Sequence, residues 1–531
     1  MSPTEVSNLV PLPSSHSPEP PRIVAVIDVG TSSVRMAIGE VDRNGGVRLL
    51  ETLSQGVSLG KDTFTRGEIA RETIEECVQV LRAYRRKLEE YAITRPEQIR
   101  VVATSAVREA SNQLALIDRV FAATGFTVEV LEEAEVHRIT YRSIQPLLQQ
   151  DQPLRSVRLI ITEVGGGSTE VLRVDKGNVA YSHSFRLGSL RLRQSFRNLR
   201  ASTARLRDVM EHEIHRTLED FAEGVPRGEP LALMALGGDI RFATRELIPD
   251  WDPRTIARLP LAALAEMTEQ VLSLGEDAVA RQYRLSLPEA ETLGPALLTY
   301  RHLAELLGVE HVQVSAANLR DGLLREAFDT HVWTNDFRQQ IVRSALELGH
   351  KYHFDEAHAQ HVADLSQQLF RALQDEHGLD ARHELILYIA SLLHEIGSFV
   401  STSSLHKHSM YLILNSDLFG LSRADVQLVG LVARYHRRAF PKPMHQGFGT
   451  LGREARVAVS KMAAILRLAK ALDATRAQRV RQVSCRRKGR RLIVYAPGVD
   501  DLSVEQLAVN QSRGLFEQIY GLQVMLRPAG A

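Results

Sequence analysis

The chain has 531 residues, 44% of them hydrophobic, which is enough for several cores and predicts three or four domains. A formal net charge of +1 excludes a global electrostatic commitment to nucleic acid or membrane, so any anion site must be local. Two cysteines, Cys77 and Cys485, lie far apart; they exclude a disulfide framework or a paired-cysteine metal motif and fit a reducing cytoplasm.

Residues 1–21 are rich in Pro and Ser, lack a basic start followed by an apolar run, and read as a disordered tail rather than a signal peptide. No stretch of about 18 apolar residues predicts a membrane span. Apolar runs predict strands at 23–27, 34–41 and 47–53, and helical periodicity covers 68–92. Strands at 99–103 and 127–131 follow, then a helix near 133–148, closing a first subdomain at 22–148. The pattern then restarts over 149–330. A strand at 158–162 precedes two further strand-like stretches and helices over 189–222; a strand at 231–236 precedes helices over 240–308; a strand at 311–315 precedes a helix near 318–329. Residues 331–480 are helical in periodicity and His-rich, and two strand signals at 491–497 and 522–528 predict a small α/β segment over 481–531.

The two halves of the first module share a local repeat. Asp28-Val29-Gly30-Thr31-Ser32-Ser33 lines up with Glu163-Val164-Gly165-Gly166-Gly167-Ser168, each a strand, an acid, a glycine turn with hydroxyls and another strand. Two such hairpins facing one another would make a cleft floored by backbone N–H groups, which suits phosphate. Gly30, Gly165, Gly166 and Gly167 are free to take φ > 0; Thr31, Ser32, Ser33 and Ser168 add hydroxyls; Arg35 and Arg108 supply positive charge. Asp28 and Glu163 end buried-looking strands, a poor place for an unpaired charge, which points to ligand roles. Glu170 shares a strand face with Ser168. Each feature also has an ordinary reading: hairpin turns, a surface arginine, and, for the acids at 132–135, helix caps.

The stretches AVIDVGTSSVRMAI, VVATSAVREASN, EVLEEAEVHRI, GGGSTEV, FRLGSLRL, GGDIRFA, VSAANLRDGLL, LLHEIG and LVARYHRR together resemble the exopolyphosphatase / guanosine pentaphosphate phosphohydrolase family in its long form. The resemblance implies an α/β fold of the actin, Hsp70 and sugar-kinase kind, a duplicated RNase H-like module, followed by an all-α HD-type domain and the small C-terminal α/β segment. It implies Mg²⁺-assisted (or Mn²⁺-assisted) attack of water on a terminal phosphate, and a homodimer. Gapless alignment puts the family's catalytic base on Glu135, its GGGSTE glutamate on Glu170 and its first-loop aspartate on Asp28. Asp28, Glu163 and Glu170 are then the metal-side carboxylates. Departures are Glu163 for an aspartate, Ser32 for an asparagine, Val136 and His137 within the base motif, and Asp239 in a loop that usually carries hydroxyls.

In the helical half, His361, His394 and Asp473 fit a His…His-Asp…Asp metal pattern, except that Glu395 replaces its aspartate; His358 lies on the same helical face as His361. This domain therefore reads as structural or substrate-guiding. Eight Arg/Lys over 476–491 and four over 433–442 read either as a solvated face or as a track for a phosphate polymer. The resulting expectation is a cytoplasmic exopolyphosphatase acting on polyphosphate. A pppGpp 5′-phosphohydrolase, a weakened polyphosphate or nucleotide sensor, and a sugar-kinase-like phosphotransferase are the rivals.

Overall fold

The computed structural model describes residues 22–41, 46–196, 203–226, 228–326, 335–416 and 418–528. The expected tail at 1–21 lies outside them, as does the end of the helix expected near 318–329.

The strand β1 (Arg22–Val29) is buried over its last six residues, as an apolar run bounded by a glycine turn demands. It pairs antiparallel with β2 (Ser33–Val41), which pairs antiparallel with β3 (Val47–Gly56). On its other side β1 runs parallel to β4 (Ile99–Ala103), and β4 to β5 (Val128–Val130), giving the order β3-β2-β1-β4-β5. The second sheet repeats this plan. The strand β6 (Arg158–Val164) pairs antiparallel with β7 (Thr169–Asp175), and β7 with β8 (Asn178–Phe185). On its other side β6 runs parallel to β9 (Leu231–Leu236), and β9 to β11 (His311–Val314). The edge strand β10 (Ala257–Pro260), within the expected helical stretch 240–308, completes the order β10-β11-β9-β6-β7-β8. Because the parallel strands run the same way, Asp28 and Glu163 stand at equivalent ends of their sheets, each beside its glycine turn.

The expected helix over 68–92 is two helices, Leu59–Arg66 and Arg71–Glu90, with Gly67 at φ 77° ending the first. From Asn335 onward helices pack on one apolar core. Leu492, Val494, Val524 and Leu526 of the last sheet, β12 (Ser484–Lys488), β13 (Arg491–Ala496) and β14 (Gln523–Pro528), belong to that same core.

Candidate functional site

Both turns are built alike. Gly30 N donates to Ser33 O over 3.0 Å, and Gly165 N donates to Ser168 O over 2.9 Å. Among the described residues, the N–H groups of Thr31, Ser32, Gly166 and Gly167 donate to no backbone carbonyl, which leaves donors for an anion. The glycines are needed for a reason other than the expected one. None of Gly30, Gly165, Gly166 or Gly167 has positive φ. The two turns instead touch: a Cβ on Gly166 would lie 2.8 Å from Thr31 Cγ2, and one on Gly167 would lie 2.5 Å from Ser105 Oγ and 2.6 Å from the Phe64 ring. Close approach, not a left-handed backbone, excludes side chains there.

The turns open onto a cavity of about 820 Å³ lined by Asp28, Gly30, Thr31, Ser32, Ser33 and Arg35 from the first sheet and by Glu163, Gly165, Gly166, Ser168 and Glu170 from the second. Arg108 lines it from the short helix Ser105–Glu109, tethered by a 2.7 Å bond from Nη1 to Leu131 O and a 3.6 Å ion pair with Glu133. Gly167 is buried between the turns rather than lining the cavity.

The carboxylates are held differently. Asp28 is the register partner of Arg35 and lies 3.4 Å from Arg320 Nη1. Glu163 and Glu170 are register partners across β6 and β7. Burial raises the Glu163 carboxyl above its usual range; Arg241 opposes this, and the nearby charges of Glu170 and Asp28 reinforce it. Glu163 accepts no hydrogen bond among the described residues, so its oxygens are free for a cation. Glu170 is buried too, which works to raise it, yet it is held below the ordinary range. His137 Nε2 lies 2.5 Å from Oε2, and Ser168 and Ser184 donate to Oε1 over 2.7 and 2.9 Å. The Ser168 hydroxyl, expected to face phosphate, is thus spent on Glu170.

Glu135 is not among the residues lining the cavity; its neighbour Val136 is. Its carboxylate closes a capping box on the helix Glu133–Gln150, accepting from Glu132 N over 3.0 Å. Burial raises its carboxyl, with the Glu132 amide opposing.

Two arginines that sequence reasoning assigned no role complete the charge balance. Arg241 lines the cavity from the helix Gly238–Leu247, and its Nη1 is buried without a partner among the described residues. Arg320 begins its helix beside Asp28. Both lie inside the GGDIRFA and LRDG stretches, which were the available signal. Asp239 stands at the start of the same helix as Arg241. Its carboxyl is raised to about 6 by burial, against the pull of Arg35 and Arg241.

The floor of the second sheet is pinned by Tyr300. Its hydroxyl accepts from Val164 N over 2.8 Å and donates to Leu236 O. Gly237, at φ 118°, both needs a left-handed backbone and leaves room for that hydroxyl, which a Cβ would approach to 2.7 Å.

Residues 25–331 match the Ppx/GppA phosphatase family, and residues 341–494 match Ppx/GppA phosphatase, domain III. The chain belongs to the Ppx/GppA phosphatase family. Ppx/GppA relatives include the guanosine-5′-triphosphate,3′-diphosphate pyrophosphatase of Aliivibrio fischeri strain MJ11, 23% identical over 85% of this chain and 86% of that protein. The same-named protein of strain ATCC 700601 / ES114 is 23% identical over 84% and 85%. Among solved Ppx/GppA structures, an exopolyphosphatase from Cytophaga hutchinsonii aligns with TM-score 0.52 and 23% identity, over 58% of this chain and 98% of its own. It carries the fold, which is actin-like with mixed sheets and many helices. No described helix is long and apolar enough to cross a membrane.

In the domain III region, Asp473 Oδ2 lies 2.7 Å from Nδ1 of His358, not of His361. Glu395 is ion-paired with Lys470 at 2.6 Å and with Arg476.

Proposed function

We propose that the cleft releases terminal orthophosphate from inorganic polyphosphate. The observation that carries this reading is the meeting of two glycine turns, with free N–H donors, over one cavity that also receives Arg35, Arg108 and Arg241 and the acids Asp28, Glu163 and Glu170. The turn amides and arginines would hold the terminal phosphoryl group. Oxygen donors suit a hard cation, and Mg²⁺, or Mn²⁺ in its place, fits beside Glu163, whose oxygens are unengaged, and Asp28. Glu170 fits less directly, because three side chains already occupy its oxygens. A bound Mg²⁺ would supply charge neutralisation at the phosphoryl oxygens.

Glu135 would take the proton of the attacking water after leaving its cap, and its raised carboxyl suits a base working near neutral pH. A second reading is pppGpp 5′-phosphohydrolase, favoured by the names of relatives that match over most of this chain. Orthophosphate release with Mg²⁺, compared as kcat/KM on long polyphosphate and on pppGpp, separates the two. Release from neither substrate would leave only the sensor reading.

The matching strand orders support a duplicated RNase H-like module, and we read the helices from 331 to 480 as HD-type. Subdomains at 22–148 and 149–330, a C-terminal segment at 481–531, a homodimer and a cytoplasmic setting complete the reading. Sedimentation of the full chain at the monomer mass would remove the dimer from it.

A further inference from the structure

Outside the cleft, the helical half holds a constellation that phosphate chemistry does not use. His358, His394 and His436 are 2%, 1% and 3% exposed. They come from three places: the helix Glu356–Ala372, the C-cap of Ala381–Leu393, and the residues just after Arg423–Arg434. The rings adjoin, with centroids 5.7 Å apart for His358 and His394 and 5.1 Å for His394 and His436.

On every ring Nδ1 is already engaged. His394 Nδ1 lies 2.7 Å from Ser391 O, His436 Nδ1 lies 2.6 Å from Ala433 O, and His358 Nδ1 lies 2.7 Å from Asp473 Oδ2. Carbonyl and carboxylate oxygens only accept, so each Nδ1 carries the proton and each Nε2 presents a lone pair. All three Nε2 atoms are buried with no partner among the described residues.

Leaving one such atom unsatisfied costs about 1–3 kcal/mol. One water, with two protons to give, cannot serve three acceptors. A Lewis acid can. Moreover, His358, His394 and Glu395 each offer a ligand atom within 4.8 Å of the others. An acceptor behind each Nδ1 is the arrangement that orients metal-bound imidazoles and fixes their tautomer. We propose that His358, His394 and His436 bind one first-row divalent transition-metal ion through Nε2. Imidazole nitrogens favour zinc and its neighbours over the hard cations that suit the cleft. Glu395 is the candidate fourth ligand, and Lys470 is the ammonium it must release to serve.

The test uses the untagged full-length chain, dialysed against Zn²⁺ and then metal-free buffer, with metal content measured by mass spectrometry. About one tightly held zinc per chain is expected. H394Q and H436Q should lose it, while the cleft variant E163Q should keep it. Co²⁺ in place of Zn²⁺ should give the intense visible bands of a nitrogen-rich site. Wild-type chain that retains no zinc and gives no cobalt bands overturns the proposal without recourse to variants. So does retention of the full equivalent by H394Q or H436Q. Circular dichroism checks that each variant is folded, and either variant alone suffices.

Discussion

His137 Nε2 stands 2.5 Å from Glu170 Oε2 inside the cleft wall, and this bond outweighs the burial that would otherwise neutralise the carboxylate. A glutamate whose folded value is depressed adds stability above its unfolded value, about 4.3, and that stability is lost as pH falls toward the depressed value. H137A should therefore destabilise the chain most at neutral pH, by about 3–5 kcal/mol for a broken buried pair, and the gap should close on acidification. Denaturant midpoints at both ends of this range check it; a gap that widens in acid refutes it.

Glu163 has the opposite sign. A raised carboxyl contributes stability below its unfolded value and loses it as pH rises through the folded one. E163Q should thus raise Tm at mildly alkaline pH, by about 2–4 °C for each kcal/mol recovered, and converge with wild type in acid. Its kcat should fall by about two or more powers of ten if Glu163 faces the metal. Paired melting curves and turnover measurements decide.

The two roles of Glu135 can be separated. E135Q keeps an oxygen to accept from Glu132 N, so the cap survives, but it cannot take a proton. A base assignment expects a loss of about 10²–10⁴ in kcat with little change in Tm. Unchanged kcat in E135Q would remove Glu135 from the chemistry.

Asp239 titrates near about 6 beside Arg35 and Arg241. Above that pH its charge opposes a polyanion, so KM should rise through this region. D239N should flatten the profile and lower KM at pH 8. A profile identical to wild type would place the substrate elsewhere.

A Cβ on Gly188 would overlap the backbone of Gly166 and Gly167, which cannot swing away as a side chain can. G188A should cost about 1–3 kcal/mol of overpacking and sharply reduce phosphate release. Wild-type melting and turnover in G188A would show that the turns tolerate separation.

Much of this site could be read from residue order alone, because β1 and β6 are buried apolar runs that stop at an acid and a glycine turn. What escaped has physical causes. Arg320 meets Asp28 from 292 residues away, and no local pattern announces such a meeting. The strand β12 carries one apolar residue, Cys485, among Ser484, Arg486, Arg487 and Lys488; its pairing with β13 made it a strand, while its composition spoke only of charge. The edge strand β10 was lost among helices for want of length. The glycines were found but given the wrong reason, since a sequence cannot distinguish a need for positive φ from a need for room. His358 and His361 share a helical face, and only the fold shows which one Asp473 reaches.

Tyr300 has one oxygen and two obligations. Val164 and Leu236 lie 136 and 64 residues from it in the chain, yet both hang their backbone on that atom. Whatever shifts the loop after β6 must drag the loop after β9 with it, so the far wall of the cleft behaves as one rigid jaw. Closure over a phosphate chain is then left to the opposing sheet.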